Sequence, residues 1–213
     1  ILPIAILWFG TGTLSALAIA ELSVEAGFPA GVLNMVTGLD APGITEAFFD
    51  NLTVRHVSFT GSTEVGRILL AKSAANVVRV SLELGGHAPF IVFDDADFDR
   101  ALVGALAGIF GATGQTCIAG SRLLVHESLH DDVVQRVLAI AETMQPTNPL
   151  SAGAPAGALV NATHLSRVHS MVEQAKGEGS RLVIGGAPTL VETGGCYYPP
   201  TVFDHVSPDG YIA

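Results

Sequence analysis

The stretch HVSFTGSTEVGRILLAKS, residues 56–73, decides the fold class of this chain. Its first four residues form an apolar strand pattern, residues 60–62 form a glycine-containing turn, and residues 64–73 have the apolar spacing of a helix. The same alternation of strand and helix continues on both sides of this unit. Such an order is typical of an α/β fold in which parallel sheets are flanked by helices, and the sequence predicts that class.

The remaining elements follow from the same patterns. Strands are predicted over 1–9, 32–36, 56–59, 78–84, 90–93, 121–125 and 182–184, and helices over 14–26, 45–49, 64–73, 97–110, 129–143 and 165–177. The glycine pair Gly85-Gly86 breaks the pattern between the strands predicted over 78–84 and 90–93. We therefore predict two partial domains, residues 1–84 and residues 85–213.

Composition limits the possible partners. The 213 residues are 49% hydrophobic, which is ample for a packed core. Lys and Arg number 10 against 20 Asp and Glu, so the formal net charge is -10. An acidic surface repels phosphate backbones and anionic lipid, and we expect neither nucleic acid nor a membrane as a partner.

The two cysteines, Cys117 and Cys196, are far apart and lack paired CxxC spacing. Neither a metal site nor a disulfide framework is indicated, and a reducing, cytoplasmic location is expected. The apolar residues 1–9 are too few to span a bilayer and have no basic segment before them, so they are interpreted as a buried strand. Because the sequence opens without Met and closes on 211–213 without a polar tail, we expect it to be a piece of a longer protein.

The turn after the strand at 56–59 is a candidate phosphate site. Gly61 and Gly66 let backbone N–H groups approach a phosphate where a helix begins. A nucleotide-binding P-loop is excluded, because Arg67-Ile68 stands where Lys and Ser or Thr are required. The alternative interpretation is a plain strand-to-helix turn capped by Ser62 or Thr63.

Cys117 and Glu83 are the candidate catalytic residues. Cys117 lies in a polar, glycine-rich stretch that is unsuited to a core strand, so its thiol is a candidate nucleophile, whereas Cys196 is interpreted as structural. Glu83 sits inside an apolar strand pattern, where burying an acid is costly without a purpose. It is either a base that activates water or an ion-pair partner of Arg79 or Arg122.

Four linked motifs follow one another along the chain: Phe59-Thr60-Gly61-Ser62-Thr63-Glu64-Val65-Gly66, Leu82-Glu83-Leu84-Gly85-Gly86, Gly114-Gln115-Thr116-Cys117 and Ala119-Gly120-Ser121-Arg122. In this order they resemble the aldehyde dehydrogenase superfamily. The likeness extends from about residue 14 to Pro200-Thr201-Val202-Phe203, and the run 84–97 is most similar to the succinate-semialdehyde dehydrogenase branch.

The resemblance implies an enzyme that oxidises an aldehyde to a carboxylic acid with NAD or NADP. Cys117 would attack the aldehyde and carry a thiohemiacetal and then a thioester, its backbone N–H would help to hold the oxyanion, and Glu83 would activate the hydrolytic water. Residues 1–84 would be part of the NAD(P)-binding domain and residues 85–213 part of the catalytic domain. The implied cofactor contacts are Gly61, Ser62 and Gly66 at the phosphates, Gly27 and Pro29 at the adenine, and Leu84 and Gly85 near the nicotinamide.

The chain also departs from the family pattern. Leu7-Trp8-Phe9-Gly10 stands where the family has a ribose-binding lysine and glutamate, His87 stands where a lysine is usual, and Ala112 where an asparagine is common. An upstream oxyanion-hole asparagine and a downstream Glu-Glu-Ile-Phe-Gly-Pro motif are not among the 213 residues. We therefore expect no turnover from this chain alone, and the resemblance implies a homo-oligomeric full-length protein.

Two alternatives stay open. The first is a truncated or degenerate, non-catalytic remnant of the fold, and the second is a thioester hydrolase or esterase that uses Cys117 and Glu83 without a cofactor.

Overall fold

The computed structural model describes residues 4–7 and 13–213. The chain divides into two compact units, Ile1–Leu84 and Gly85–Ala213, and each is described by itself. Of the strand predicted over 1–9, residues 4–7 are observed as a strand, and the other five positions lie outside the described residues.

The first unit alternates strands and helices. Strand β1 pairs with β2, and β3 pairs with β4; both pairs are parallel. A 3₁₀ turn, Ala74–Asn76, joins the third helix to the fourth strand. In chain order the elements are β1 (Ile4–Leu7), α1 (Thr13–Glu25), β2 (Leu33–Val36), α2 (Ala41–Asp50), β3 (His56–Gly61), α3 (Thr63–Ser73) and β4 (Arg79–Leu84).

The core of the first unit lies where α2 and α3 pack on the β3–β4 pair. Phe49, Leu69 and Val78 are its buried centre, and apolar side chains of both strands pack against them. Gly66 lets α3 approach β4 closely, since a Cβ there would lie 2.8 Å from a Leu84 methyl carbon. By contrast, the apolar residues of α1 do not contribute to this core: Leu14 is 82% exposed.

The second unit contains a parallel and an antiparallel strand pair. β5 pairs with β6 in parallel, whereas β7 pairs with β8 antiparallel, with an irregular register between Leu182 and Ile184. In chain order the elements are β5 (Pro89–Val92), α4 (Phe98–Phe110), β6 (Arg122–Val125), α5 (His130–Thr143), α6 (Ala162–Gly177), β7 (Arg181–Ile184) and β8 (Val202–Asp204).

Strand β8 and its antiparallel pairing are not among the sequence predictions. Three residues are too few to show an alternating pattern. The connection from β7 to β8 contains a 3₁₀ turn, Val191–Thr193, and no crossover helix. A parallel pairing requires such a crossover, so the antiparallel arrangement follows from the connection.

Two apolar clusters stabilise the second unit. In the first, Leu102 and Leu106 of α4 pack against Val133 and Val137 of α5. Each pair is spaced four residues apart, which places both members on one helix face. The second cluster contains Leu159, Val172 and Tyr198. In neither unit does a described helix combine the length and the apolar character needed to cross a membrane.

Candidate active site

Glu83 and the glycine turn lie at one edge of the β3–β4 pair. Thr60 is in register with Glu83, and Gly61 with Leu84. Because the two strands are parallel, both carboxyl ends reach this edge, which is where open α/β sheets bind their ligands. Within the first unit, the structure therefore places four of the predicted site residues at one edge of the sheet: Gly61, Ser62, Glu83 and Leu84.

The amino end of α3 begins at this edge. Ser62 is its N-cap, and its hydroxyl accepts a hydrogen bond from the Val65 N–H at 3.3 Å. The Gly66 N–H donates to the Ser62 carbonyl at 2.9 Å, so Gly66 contributes to this site by close packing and not through its N–H. The N–H groups of Thr63 and Glu64 come before the first intrahelical bond, and they are positioned to meet an anion.

Gly27 and Pro29 lie elsewhere in the first unit, in the turn between α1 and β2. Gly27 takes a left-handed conformation with φ +84°, which ends α1, and its N–H donates to the Val24 carbonyl at 3.0 Å. The Pro29 carbonyl accepts the Val32 N–H at 3.2 Å. No hydrogen bond among the described residues joins this turn to the start of α3.

Glu83 is exposed, and this corrects the argument that burying it is costly. The reason is the alternation of β4, in which Leu82 and Leu84 face the helix and Glu83 faces away. Among the described residues, Glu83 forms no ion pair with Arg79. The Arg122 guanidinium instead donates to the carbonyl oxygens of His87 at 2.9 Å and Ala213 at 3.3 Å.

Cys117 lies in the second unit, in the loop that leads into β6. The segment before β5 lies beside this loop, because parallel strands bring their amino ends to one edge. A Cβ built on Gly86 would lie 3.5 Å from the Cys117 carbonyl oxygen, and the Arg122 N–H donates to the Ala88 carbonyl at 3.3 Å. Gly85 is exposed and has open space around it.

His87 belongs to the same segment. Partial burial lowers the pKa of its imidazole, and the nearby Arg122 guanidinium lowers it further. The lowered pKa favours the neutral form of this imidazole.

The Cys117 thiol is exposed. Within residues 4–7 and 13–213, its backbone N–H has no hydrogen-bond acceptor, whereas the Ala119 N–H, two residues on, donates to the Thr116 carbonyl at 3.0 Å. An N–H donor beside an exposed thiol is the arrangement that covalent catalysis by a thiol requires for its oxyanion. The second cysteine, Cys196, packs against the cluster of Leu159, Val172 and Tyr198.

A separate polar cluster, His130, Asp204 and His205, offers ligand atoms within 4.8 Å of one another. The ligand atoms of His130 and Asp204 already take part in hydrogen bonds. His130 Nε2 lies 2.9 Å from Asp204 Oδ1 and His130 Nδ1 lies 2.9 Å from Asp131 Oδ1, while Arg181 donates to Asp204 Oδ2. We interpret the cluster as a link between α5, β7 and β8 rather than a metal centre.

The electrostatics of this cluster fit that interpretation. Burial raises the pKa of Asp204, but hydrogen bonds from His130, Arg181 and the His205 N–H outweigh burial and leave it at about 2. Hydrogen bonds to Asp204 and Asp131 raise the pKa of His130. Sequence reasoning missed this cluster, since its members are 74 residues apart and form no local motif.

The fold and the motifs agree with known proteins. Residues 10–213 match the aldehyde dehydrogenase family, and the chain belongs to that family. A succinate semialdehyde dehydrogenase of Acinetobacter baylyi is 42% identical over 93% of this chain and 41% of its own length. The NADP(+) succinate-semialdehyde dehydrogenase of Escherichia coli is 41% identical over the same shares.

Solved structures show the same relationship. An NAD-dependent aldehyde dehydrogenase from Sinorhizobium meliloti superposes with a TM-score of 0.94 at 40% identity, covering 99% of this chain and 42% of that one. The chain thus spans about two fifths of the length of the relatives that it matches.

Proposed function

We propose that Cys117 and Glu83 serve the oxidation of an aldehyde to a carboxylic acid with NAD or NADP. The observation that carries the proposal is the Cys117 turn, in a chain of the aldehyde dehydrogenase family. Its thiol is exposed, and its N–H has no acceptor in the part of the chain that the structure describes. In the proposed assignment, residues 1–84 contribute to the cofactor domain and residues 85–213 to the catalytic domain.

The chemistry at Cys117 has two stages. The thiolate forms a bond to the carbonyl carbon, and the carbonyl oxygen becomes an oxyanion that the Cys117 N–H stabilises. Bound NAD(P) supplies the acceptor for the hydride that leaves this carbon. The acyl group then remains on the Cys117 sulfur as a thioester.

Glu83 acts in the second stage. Its carboxylate takes a proton from a water molecule, whose oxygen attacks the thioester carbon. The carbon–sulfur bond breaks, the product leaves as the carboxylic acid, the Cys117 thiolate is regenerated, and Glu83 releases to solvent the proton that it took from water. A carboxylate at the end of β4 is suited to this task because it is exposed and lies outside the unit's core.

The residues at the start of α3 fit the cofactor's phosphates. The N–H groups of Thr63 and Glu64 and the partial positive charge of the helix end favour an anion. Gly61 and Ser62 border this position, and Gly66 brings the helix close to Leu84. By likeness to the family, Leu84 and Gly85 lie near the nicotinamide and Gly27 and Pro29 near the adenine.

The substrate class comes from the relatives. The relatives from Acinetobacter baylyi and Escherichia coli are succinate-semialdehyde dehydrogenases, and a 41% identical relative from Pseudomonas aeruginosa is a glutarate-semialdehyde dehydrogenase. We therefore propose a small aldehyde that also carries a carboxylate as the substrate, and a homo-oligomer as the working assembly.

The test is NAD(P)H formation by the protein expressed from its genomic reading frame, with succinate or glutarate semialdehyde as the substrate. We expect Cys117→Ala to abolish turnover. We expect Glu83→Gln to lower kcat by a factor of about 10² to 10⁴, the usual contribution of a general base. Cys196→Ala and Glu21→Gln are the matched controls and should keep the wild-type rate. Full activity in Cys117→Ala would disprove the proposal.

A further inference from the structure

The turn before Cys117 has an unusual backbone. Ala112, Thr113 and Gly114 all adopt left-handed conformations, with φ of 50°, 56° and 72°. Only the last of the three is a glycine, so two residues with a Cβ occupy a region that L-residues seldom adopt. Such a conformation persists only where the surroundings hold it in place.

The Gln115 side chain contacts this turn directly. Its Nε2 donates to the Thr113 hydroxyl at 2.6 Å, and that hydroxyl donates to the Ala112 carbonyl at 2.6 Å. The other end of the amide reaches a different segment, where Oε1 accepts the Val160 N–H at 3.0 Å. Nε2 also approaches the Ala158 carbonyl oxygen at 3.5 Å. Both the donor and the acceptor of the amide are therefore in use.

The segment that Gln115 contacts is itself well anchored. Leu159 is 8% exposed and belongs to the cluster with Val172 and Tyr198. Its N–H donates to the Cys196 carbonyl at 2.7 Å. Asn161 then caps α6 by accepting the His164 N–H at 2.8 Å. One end of the Gln115 amide thus binds a fixed part of the unit, and the other end binds the left-handed turn.

We propose that Gln115 is a positioning residue, which holds the left-handed turn at 112–114 and thereby sets where the Cys117 thiol and N–H point. The proposal rests on the proposed role of Cys117 as the nucleophile. Ala112 occupies a left-handed conformation, which asparagine tolerates better than alanine does.

The test compares four versions of the full chain. They are the wild type, the single variants Gln115→Ala and Gln174→Ala, and the double variant that carries both Gln115→Ala and Ala112→Gly. Gln174→Ala is the matched control, because Gln174 also makes a side-chain hydrogen bond, to Glu178 at 3.0 Å on α6. The first readout is amide hydrogen exchange of the peptide 111–120. The second, in the protein expressed from its reading frame, is the rate of Cys117 acylation by aldehyde and NAD(P).

Gln115→Ala should speed exchange at 111–120 and slow acylation by about 10- to 100-fold with little change in KM, since misplaced reacting groups lose rate and not binding. Adding Ala112→Gly to Gln115→Ala should restore most of the slow exchange and most of the acylation rate, because glycine adopts the left-handed conformation without strain. Gln174→Ala should match the wild type.

The proposal would be overturned if Gln115→Ala were acylated at the wild-type rate. It would also be overturned if adding Ala112→Gly to Gln115→Ala restored neither the acylation rate nor the slow exchange. If the wild type forms no acyl-Cys117 at all, the proposed function fails instead. Exchange at 111–120 then decides the role of Gln115 alone: faster exchange in Gln115→Ala supports its hold on the turn, and equal exchange refutes it.

Discussion

Replacing Asp204 by asparagine should destabilise the second unit in a pH-dependent way. The carboxylate accepts hydrogen bonds from His130 and the His205 N–H, at 2.9 Å and 2.7 Å, and from Arg181. Its side chain is only 9% exposed, so solvent screens these bonds weakly. Asparagine keeps the shape but removes the charge that the partners bind.

The size of the effect follows from the pKa. Asp204 has a pKa of about 2 in the folded chain, against an ordinary value of 3.8. By linkage, this difference corresponds to about 2 kcal/mol of unfolding free energy. Because the folded-state pKa is the lower one, this stability is present above pH 4 or so and is lost as the pH falls toward 2.

Urea unfolding followed by tyrosine fluorescence is the suitable assay, since all three tyrosines lie in residues 85–213. Asp204→Asn should cost about 2 kcal/mol at pH 7, and its difference from the wild type should shrink toward pH 2. The exposed Asp209→Asn is the control and should change little. A difference at pH 7 no larger than that of Asp209→Asn, or one that does not change with pH, would refute the reasoning.

Two further predictions concern the same unit. The pKa of His130 is raised in the folded chain, so the stability that the charged imidazole contributes is fully present below its ordinary pKa of 6.5 and is lost as the pH rises through the folded-state pKa. In urea titrations, His130→Gln should therefore lower the unfolding free energy more at pH 5.5 than at pH 9. An equal loss at the two pH values would contradict this prediction. Gly185 has φ +77°, and a Cβ there would lie 2.9 Å from Thr201 Cα. Gly185→Ala should cost at least about 2 kcal/mol in thermal or urea unfolding, whereas the uncrowded Gly157→Ala should be close to neutral.

The sequence predicted most of the local structure because its signals are local. The predicted parallel sheets with flanking helices agree with the aldehyde dehydrogenase fold. Ser62 caps α3, and it is one of the two capping residues that the sequence suggests. The four motifs are sufficient to indicate the family, since each is a short local run of residues, and residues 10–213 match that family.

Features that depend on distant contacts could not be predicted. β8 is too short for a pattern, and the Asp204 cluster joins residues that are 74 positions apart. The hydrogen bonds of the Gln115 amide could not be predicted either, because its partners at 158–160 lie more than forty residues away. By contrast, the exposure of Glu83 was within reach of the sequence, because Glu83 shares the polar face of β4 with Arg79 and Ser81.

Mass spectrometry of Cys117 tests the central claim most directly. The protein expressed from its reading frame is mixed with semialdehyde and NAD(P), quenched in acid and digested. We predict an acyl thioester on the peptide containing Cys117, which accumulates in Glu83→Gln because hydrolysis is slowed and is absent when the cofactor is left out. An unmodified Cys117 in Glu83→Gln, or acylation that does not require NAD(P), would contradict the account.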